Sequence, residues 1–332
     1  MTTAVAVSGP PVTPEDVEPY RRELTGYCYR MLGSVFEAED AVQDTMLRAW
    51  KTTAAFEGRS ALRSWLYRIA TNVCLDMLRG RQRRAQPMEL GPSAPPDPVH
   101  LGPQMAENRW VTPIPDAQVV AAGDGDPAQV AEARESIRLA FVTALQHLPP
   151  RQRAVLILRD VLRWQASEVA ELLDTTVVSV NSALQRARTT LAGRHAAPTA
   201  LAAAAAAFDD YQRDLLERFV DAFERYDIPR LVALLHDDAV QSMPPYSMWL
   251  QGASEIGRWM LGGGGGCRGS RLIATRANGT AAFGQYRVDP SGGYQAWAIQ
   301  VIEVSGGAIS ALTSFLDTRL FASFGLPARL DD

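Results

Sequence analysis

Cysteine and histidine are scarce in this chain of 332 residues. Its three cysteines, Cys28, Cys74 and Cys267, form no CxxC pair, and its four histidines are scattered. This pattern predicts neither a disulfide framework nor a zinc site. There is no apolar run of about 18 residues, and no basic region followed by an apolar core at the N-terminus. We therefore expect a cytoplasmic protein that binds no membrane, metal or other cofactor.

Basic residues are concentrated in one segment, although the whole chain has a formal net charge of −4. Between residues 59 and 84 there are seven arginines and one acidic residue, Asp76, a local charge of +6. From Ser60 onward the apolar residues recur at spacings of three and four, which predicts an amphipathic helix. The predicted apolar stripe consists of Leu62, Trp65, Leu66, Ile69, Val73 and Met77.

The polar edge of this predicted helix carries Arg68, Asn72, Arg79 and Arg83, with Trp65 at its margin. Guanidinium groups match phosphates, and aromatic rings offer stacking surfaces for unpaired bases. Nucleic acid is therefore the natural partner. The alternative at this point is an arginine-rich solvent face with Trp65 in the core.

The preceding segment, Pro14 to Trp50, is predicted to be helical, with a break at Gly33 and Ser34 as the N-cap of a second helix. The buried side of that second helix is expected to contain Val35, Ala38, Val42, Met46 and Ala49 or Trp50. An acidic and amide surface lies off this stripe, at Glu37, Asp40, Gln43 and Asp44. Taken alone, that surface is most simply a solvated face.

The segments CYRMLGS, EAEDAVQDTMLRAW and SWLYRIATNVCLDMLR resemble region 2 of RNA polymerase sigma factors of the extracytoplasmic-function group. The resemblance implies that Asp40, Gln43 and Asp44 bind the clamp helices of the polymerase beta-prime subunit. It also implies that the segment from Phe56 to Arg84 binds and melts the minus-ten promoter element. The residues implied to contact that DNA are Phe56, Arg59, Ser60, Arg63, Trp65, Arg68, Asn72, Arg79 and Arg83.

Residues 86–126 are interpreted as an acidic linker rich in proline and glycine, because they show no convincing periodicity. In the sigma family such a linker threads the active-site and RNA-exit channels of the polymerase. A flexible tether is the alternative interpretation.

A second DNA-binding signal lies in residues 127–195. Glu168 to Leu173 is predicted as a short helix, Asp174 to Thr176 as a turn, and Val177 to about Arg194 as a longer helix, which is helix-turn-helix spacing. The predicted inward stripe of the last helix is Val177, Val180, Leu184 and Leu191. The outer face is predicted to hold Ser179, Ser182, Ala183 and Arg186, flanked by Asn181, Gln185 and Arg188, and such small polar groups and arginines suit the major groove.

The segments LPPRQRAVLILRD, EVAELL and VNSALQRAR resemble sigma region 4. The resemblance implies contact with the polymerase beta flap and recognition of the minus-thirty-five element by the outer face just described. Many relatives carry lysine or arginine where this chain has Asn181 and Ala183, and glycine where it has Asp174. Fewer cations imply weaker phosphate anchoring, so the promoter preference of other members does not transfer.

The remaining chain is predicted to be an Ala-rich joint at residues 196–207 and an α+β cone at residues 208–332. Helices come first in this domain, and strands follow at residues 271–277, 281–288, 294–304 and 308–315. The order of elements and segments such as DAFERYDIPRLVALLHDDAV resemble SnoaL-like domains. The predicted fold is therefore multidomain: a tail at residues 1–13, an all-α region 2 at 14–85, the linker, an all-α region 4 and the cone.

Cones of this type enclose a pocket, and six side chains are candidates to line it: Met243, Tyr246, Trp249, Trp259, Phe283 and Trp297. The alternative is that they fill the core. Four residues of the cone are candidates for acid–base chemistry: Asp221, His236, Asp237 and Asp238. Their spacing is not diagnostic of a catalytic site, so the sequence predicts no catalytic residue.

The sequence thus predicts a sigma factor that binds core polymerase and promoter DNA, with the cone regulating it in cis. An enzyme or small-ligand sensor fused to a DNA-binding half is the first alternative. A repressor is the second, and it would have no use for the surface at Asp40, Gln43 and Asp44. A separate anti-sigma protein and a small ligand of the cone are left open as partners.

Overall fold

The computed structural model describes residues 13–52, 61–95, 101, 103–120, 127–192 and 210–331. The chain divides into two compact units. The first comprises Met1–Arg83, Gln118–Gly125 and Ala140–Ala200, and the second comprises Arg84–Ala117, Asp126–Leu139 and Leu201–Asp332. No helix within the described ranges is long and apolar enough to cross a membrane.

The α-helices are numbered here in chain order. They are α1 (Pro14–Val17), α2 (Arg21–Leu32), α3 (Val35–Lys51), α4 (Leu62–Met77), α5 (Asp116–Val119), α6 (Pro127–Glu135), α7 (Leu139–Leu145), α8 (Pro150–Leu156), α9 (Ala166–Leu172), α10 (Val177–Ala192), α11 (Asp210–Glu224), α12 (Ile228–Val232), α13 (Ala253–Leu261) and α14 (Leu320–Ser323). A π-helical turn, Ile157–Val161, continues α8.

The break predicted between α2 and α3 is confirmed. Gly33 ends α2 in a left-handed conformation, φ 71°, which glycine adopts without steric cost. Ser34 then caps α3, because its hydroxyl accepts a hydrogen bond from the backbone N–H of Glu37 at 3.4 Å. On α3 the choice between Ala49 and Trp50 is resolved: Ala49 is buried and Trp50 is 61% exposed.

The buried face of α4 differs from the predicted stripe. Leu66 and Val73 are buried as expected, but Leu62, Trp65, Ile69 and Met77 are only partly buried. Their places are taken by Tyr67, Ala70, Thr71 and Cys74. The buried face includes a polar contact, since the hydroxyls of Tyr27 and Thr71 are 2.7 Å apart in the core. A stripe that consists of large apolar residues alone does not include Thr71.

The second unit contains a mixed sheet. Its strands are β1 (Leu235–Ser242), β2 (Trp249–Gln251), β3 (Arg271–Ala277), β4 (Thr280–Val288), β5 (Tyr294–Ser305), β6 (Ala308–Phe315) and β7 (Arg329–Leu330). The order is β2-β1-β6-β5-β4-β3, with β7 pairing on β5. The β1–β6 pair is parallel and the other pairs are antiparallel. The four predicted strands are thus present within a residue of their expected bounds.

The helix α12 is short, with five residues, and two of the acid–base candidates, Asp237 and Asp238, lie in β1. The helices α11, α12 and α13 cover one face of the sheet, where Phe219 and Phe283 lie with ring centroids 6.0 Å apart. Gly257 lets α13 approach α12, since a Cβ there would lie 2.7 Å from a methyl group of Val232.

Candidate nucleic-acid interface

The predicted minus-ten residues that fall within the described ranges lie mostly on the exposed side of α4 and just after it. Arg68, Asn72, Arg79 and Arg83 are exposed, whereas Arg63 and Trp65 are partly buried. Phe56, Arg59 and Ser60 lie outside the described residues. The structure therefore places a basic and amide surface on α4, as the helical spacing predicts.

Three of these arginines contact protein groups within the first unit. Arg63 forms a forked ion pair with Glu23 at 3.0–3.1 Å, and its guanidinium lies 5.3 Å from the ring centroid of Trp164. Arg68 donates to the backbone carbonyl of Glu171, in α9, at 3.2 Å. Arg83 lies 2.7 Å from His147. The predicted minus-ten surface is thus partly occupied by the helix-turn-helix half of the same unit.

A buried arginine strengthens this packing. Arg153 in α8 is 3% exposed and donates to the backbone carbonyl of Met31, near the C-terminal end of α2. It also donates to the side-chain oxygen of Gln146 at 2.6 Å and to the carbonyl of Leu148 at 3.1 Å. Burial lowers the pKa of Arg153 to about 10. A buried guanidinium is usually paired with a carboxylate, but the partners of Arg153 are carbonyl oxygens. Its burial is therefore tolerated only while these hydrogen bonds are kept.

The predicted helix-turn-helix is present. Helix α9 is followed by a turn in which Asp174 adopts a left-handed conformation, φ 49°, so this aspartate accommodates a geometry that favours glycine. The hydroxyl of Thr176 then accepts a hydrogen bond from the backbone N–H of Ser179 at 3.1 Å. That bond caps the start of α10.

The outer face of α10 is close to the predicted one, with one correction. Val180, Leu184 and Leu191 are buried, but Val177, predicted to point inward, is 42% exposed, and Ala187 takes the inward place. Of the predicted DNA-contacting residues, six are exposed and Ala183 is partly buried; the exposed ones are Ser179, Asn181, Ser182, Gln185, Arg186 and Arg188. Arg188 forms an ion pair with Asp160 at 2.7 Å, which raises the pKa of Arg188.

The predicted polymerase-binding residues lie off the buried side of α3. Asp40 and Gln43 are exposed, and Asp44 is partly buried and pairs with Arg48 at 2.8 Å. Sequence reasoning missed that Leu47 and Trp50 continue the same face, with exposures of 42% and 61%. The available signal was helical spacing, since residues 40, 43, 44, 47 and 50 fall on one side at about 100° per residue.

The six pocket candidates of the cone do not come together. Met243, Trp259 and Phe283 belong to the packed core. Trp297 lies against Arg287, whose guanidinium is 3.5 Å from the ring centroid. Tyr246 and Trp249 contact the linker.

Two of the acid–base candidates of the cone, Asp221 and His236, have structural partners. Asp221 forms ion pairs with Arg225 and Arg230 at 2.6 and 2.9 Å. His236 accepts a hydrogen bond from the backbone N–H of Asp238 at 3.2 Å. In the part of the chain that the structure describes, no group of three His, Cys, Asp or Glu residues is placed to hold a metal ion.

The linker is held by the turn between β3 and β4. The side chain of Asn278 is fully buried and bonds the chain on two sides: its oxygen accepts from the backbone N–H of Ile114 at 3.1 Å, and its nitrogen donates to the carbonyl of Ile137 at 2.6 Å. The backbone N–H of Gly279 donates to the carboxylate of Asp116 at 2.7 Å. Arg276 donates to the same carboxylate at 3.1 Å. We call this set of contacts the linker clasp; it includes Ile137, which follows the linker and lies between α6 and α7.

Three further contacts bind the earlier part of the linker to the cone. The backbone N–H of Ala94 donates to the carbonyl of Trp249 at 2.8 Å, and the indole N–H of Trp249 donates to the carbonyl of Gly91 at 2.9 Å. Glu107 forms an ion pair with Arg319 at 2.6 Å. The linker was expected to be a tether or a channel-threading segment. Of its described residues, those between 86 and 117 belong to the second unit, where these contacts dock them on the cone.

Three family models match the chain in the predicted order. They are Sigma-70 region 2 at residues 17–84, Sigma-70 region 4 at residues 138–191, and a SnoaL-like domain at residues 216–312.

Individual relatives agree with these matches. The ECF RNA polymerase sigma factor SigG of Mycobacterium tuberculosis is 46% identical over 322 residues, which cover 94% of this chain and 83% of that protein. The ECF sigma factor SigJ of the same organism is 26% identical, over 95% of each chain. The crystal structure of SigJ aligns with a TM-score of 0.57 at 23% identity, covering 95% of this chain and all of that one, which shows a shared fold. The chain belongs to the extracytoplasmic-function (ECF) family of RNA polymerase sigma factors.

Proposed function

We propose that this chain is a promoter-specificity subunit of bacterial RNA polymerase, which binds the core enzyme in the cytoplasm, recognises the minus-thirty-five and minus-ten elements, melts the DNA and directs initiation. Its family consists of transcription factors and not of enzymes. The observation that carries the proposal is the exposed face of α3, where Asp40 and Gln43 stand beside exposed Trp50. An exposed tryptophan amid acidic and amide groups is typical of a protein-binding surface.

Promoter binding requires the first unit to open. The minus-thirty-five and minus-ten elements are named by their positions, so they lie about 25 base pairs apart. At about 3.4 Å per base pair this separation is about 85 Å. In the first unit, however, α4 contacts α9, and Arg68 is bonded to Glu171. The surfaces for the two elements are therefore too close to bind them together. Core polymerase would hold α4 and the helix-turn-helix apart, which would free Arg68 from its contact with Glu171.

The cone is proposed to regulate this process in cis through the linker. In the sigma family the linker enters the polymerase channels, and here the linker clasp holds it against the cone. A linker bonded to Asn278 and Gly279 is not free to enter a channel. Release of the clasp would therefore accompany productive binding, and docking of the linker would lower activity.

The test is transcription by core polymerase on a genomic promoter library, with the full chain compared with a version ending at Ala207. Both are expected to give promoter-selective transcripts, and the shorter chain is expected to give more at limiting concentration because its linker has no cone to dock on. Equal activity of the two would contradict regulation in cis. Failure of both to bind polymerase would contradict the sigma function and favour a repressor or enzyme.

Charge reversal tests the polymerase surface directly. Replacing Asp40 and Asp44 with lysine should abolish polymerase binding, measured by co-elution with the core enzyme. The matched control is the same double reversal at Asp237 and Asp238, two exposed acids of the cone. Equal losses in the two variants would show that net charge and not this surface is responsible.

A ligand-sensing role for the cone is the second candidate. A cleft of about 420 Å³ in the second unit is lined by linker residues such as Trp110 and by cone residues such as Phe315 and Arg319. This volume lies within the usual range of small-molecule sites. Because both linker and cone form the walls, a ligand would favour the docked linker. Screening the full chain by NMR against a metabolite collection tests this, and the absence of binding would exclude those compounds as signals.

A further inference from the structure

The outward face of α10 carries an exposed apolar residue in its first turn. At about 100° per residue, Val178 and Ser182 lie roughly 150° and 170° from the middle of the buried side. Val178 is 75% exposed, the highest value among the large apolar side chains that the structure describes. A branched aliphatic side chain therefore stands where the helix would face the floor of a DNA groove.

The surroundings of Val178 would allow close approach to DNA. Ser182 follows one turn later on the same face, and Gln185 and Arg186 come next. Val178 lies in the first turn of α10, just after the Thr176 cap. In helix-turn-helix proteins the N-terminal residues of the recognition helix contact base edges, while residues further along reach the backbone. Val178 thus occupies a base-reading position, and its neighbours on this face are short or flexible.

The chemistry of valine restricts what it can read. Its side chain has no hydrogen-bonding group, so opposite a base nitrogen or oxygen it would leave that atom unpaired. The apolar feature of the major groove is the C5-methyl group of thymine. We propose that Val178 contacts the methyl group of a thymine in the minus-thirty-five element and selects thymine at that position. The proposal rests on the proposed sigma function.

A protein partner fits this surface less well. Apart from Val177, which is 42% exposed, the exposed residues around Val178 are polar or charged, and they include Asp174, Thr176, Ser179, Asn181, Ser182 and Arg186. Stable protein interfaces bury a contiguous patch, with about 800 Å² on each partner. Two valines among polar and charged residues do not form such a patch, whereas a single methyl contact needs no more than this.

The test uses holoenzyme assembled from core polymerase and the full chain, with a promoter recovered from the library selection. Each thymine of the minus-thirty-five element is replaced in turn by deoxyuridine, which removes only the C5-methyl group. Binding is measured by competition against the unmodified promoter. At one position the wild-type holoenzyme is expected to bind about fourfold more weakly, the effect of one buried methyl group. The Val178→Ala variant should show no such penalty there.

One control variant and one control measurement accompany the experiment. Val177→Ala changes an adjacent valine that lies off the outward centre, and it should keep the deoxyuridine penalty. Val178→Ala should assemble with core polymerase as the wild type does. The proposal is overturned if the wild type transcribes from the promoter without any deoxyuridine penalty, or if Val178→Ala keeps the full penalty. It is also overturned if Val178→Ala instead loses polymerase binding, which would make Val178 a protein contact. Only the absence of promoter selection by the wild type would remove the sigma function as well.

Discussion

Replacing Asn278 with glycine should release the linker from the cone. Asn278 has φ 53°, a left-handed conformation that glycine adopts freely, so the turn itself should survive. The substitution removes two side-chain hydrogen bonds and leaves the N–H of Ile114 and the carbonyl of Ile137 without partners. Each unpaired buried group costs about 1–3 kcal/mol. A total of about 3 kcal/mol corresponds to roughly a 150-fold loss in the docking equilibrium.

The amide of Ile114 is the direct probe, because its N–H donates to the substituted side chain. Hydrogen exchange at this amide should become about 100-fold faster in Asn278→Gly, while amides in the middle of β4 and β5 keep their protection. Transcription at limiting concentration should rise, since a free linker can enter the polymerase. Ser291→Gly is the matched control, because it removes a side chain from the turn at the other end of β4.

Unchanged exchange at Ile114 in Asn278→Gly would refute the role given to the asparagine. Faster exchange at Ile114 without any rise in transcription would show that the linker clasp is a structural contact only, and it would refute regulation through the clasp. Global loss of protection across the cone would show that the turn is part of the folding core of the domain, against the expectation that glycine preserves it.

Three further changes follow from the structure. Trp50→Ala should weaken core polymerase binding at least tenfold without altering stability, because the indole is 61% exposed; a titration that includes Leu261→Ala, an exposed apolar control in the cone, checks this, and equal affinities would contradict it. Arg153→Ala should destabilise the first unit by about 3 kcal/mol, since several buried carbonyls lose their donor; an unchanged melting temperature would argue against the interpretation. Gly279→Ala should weaken the packing of α6 against the turn between β3 and β4 by more than 2 kcal/mol in urea titrations, since its Cβ would lie 2.5 Å from the backbone oxygen of Arg134. Gly306→Ala has a similar φ but open space around it, so an equal effect there would mean that backbone strain alone is responsible.

Local features were predictable from sequence because local forces determine them. The cap at Ser34 and the break at Gly33 each follow from the preferences of one or two residues. The spacing of apolar residues likewise predicted the strands β3 to β6 and the helix α3. The resemblance to sigma regions then supplied the order of the domains.

Contacts between distant segments were not predictable in this way. Val177 fits an apolar stripe, but the packing of α9 against α10 leaves it at the exposed start of the helix. Arg153 lies in a basic segment that is typical of a surface, yet its guanidinium is buried among carbonyl oxygens. Asn278 lies in the turn between β3 and β4, and nothing in a turn sequence indicates that its side chain would bind Ile114 and Ile137. These choices depend on tertiary partners, which periodicity does not describe.

The linker clasp has a consequence for how such control depends on the amount of protein. Because Asn278 and its linker partners belong to one polypeptide, their encounter is governed by an effective concentration, which is set by the chain between them and not by the amount of protein. Raising the expression of the protein would not dilute the restraint, as it would for a separate inhibitor present in fixed amount. The fraction of molecules with a docked linker would not depend on the copy number of the protein. The response to a signal would therefore be the same in cells that contain few copies and in cells that contain many.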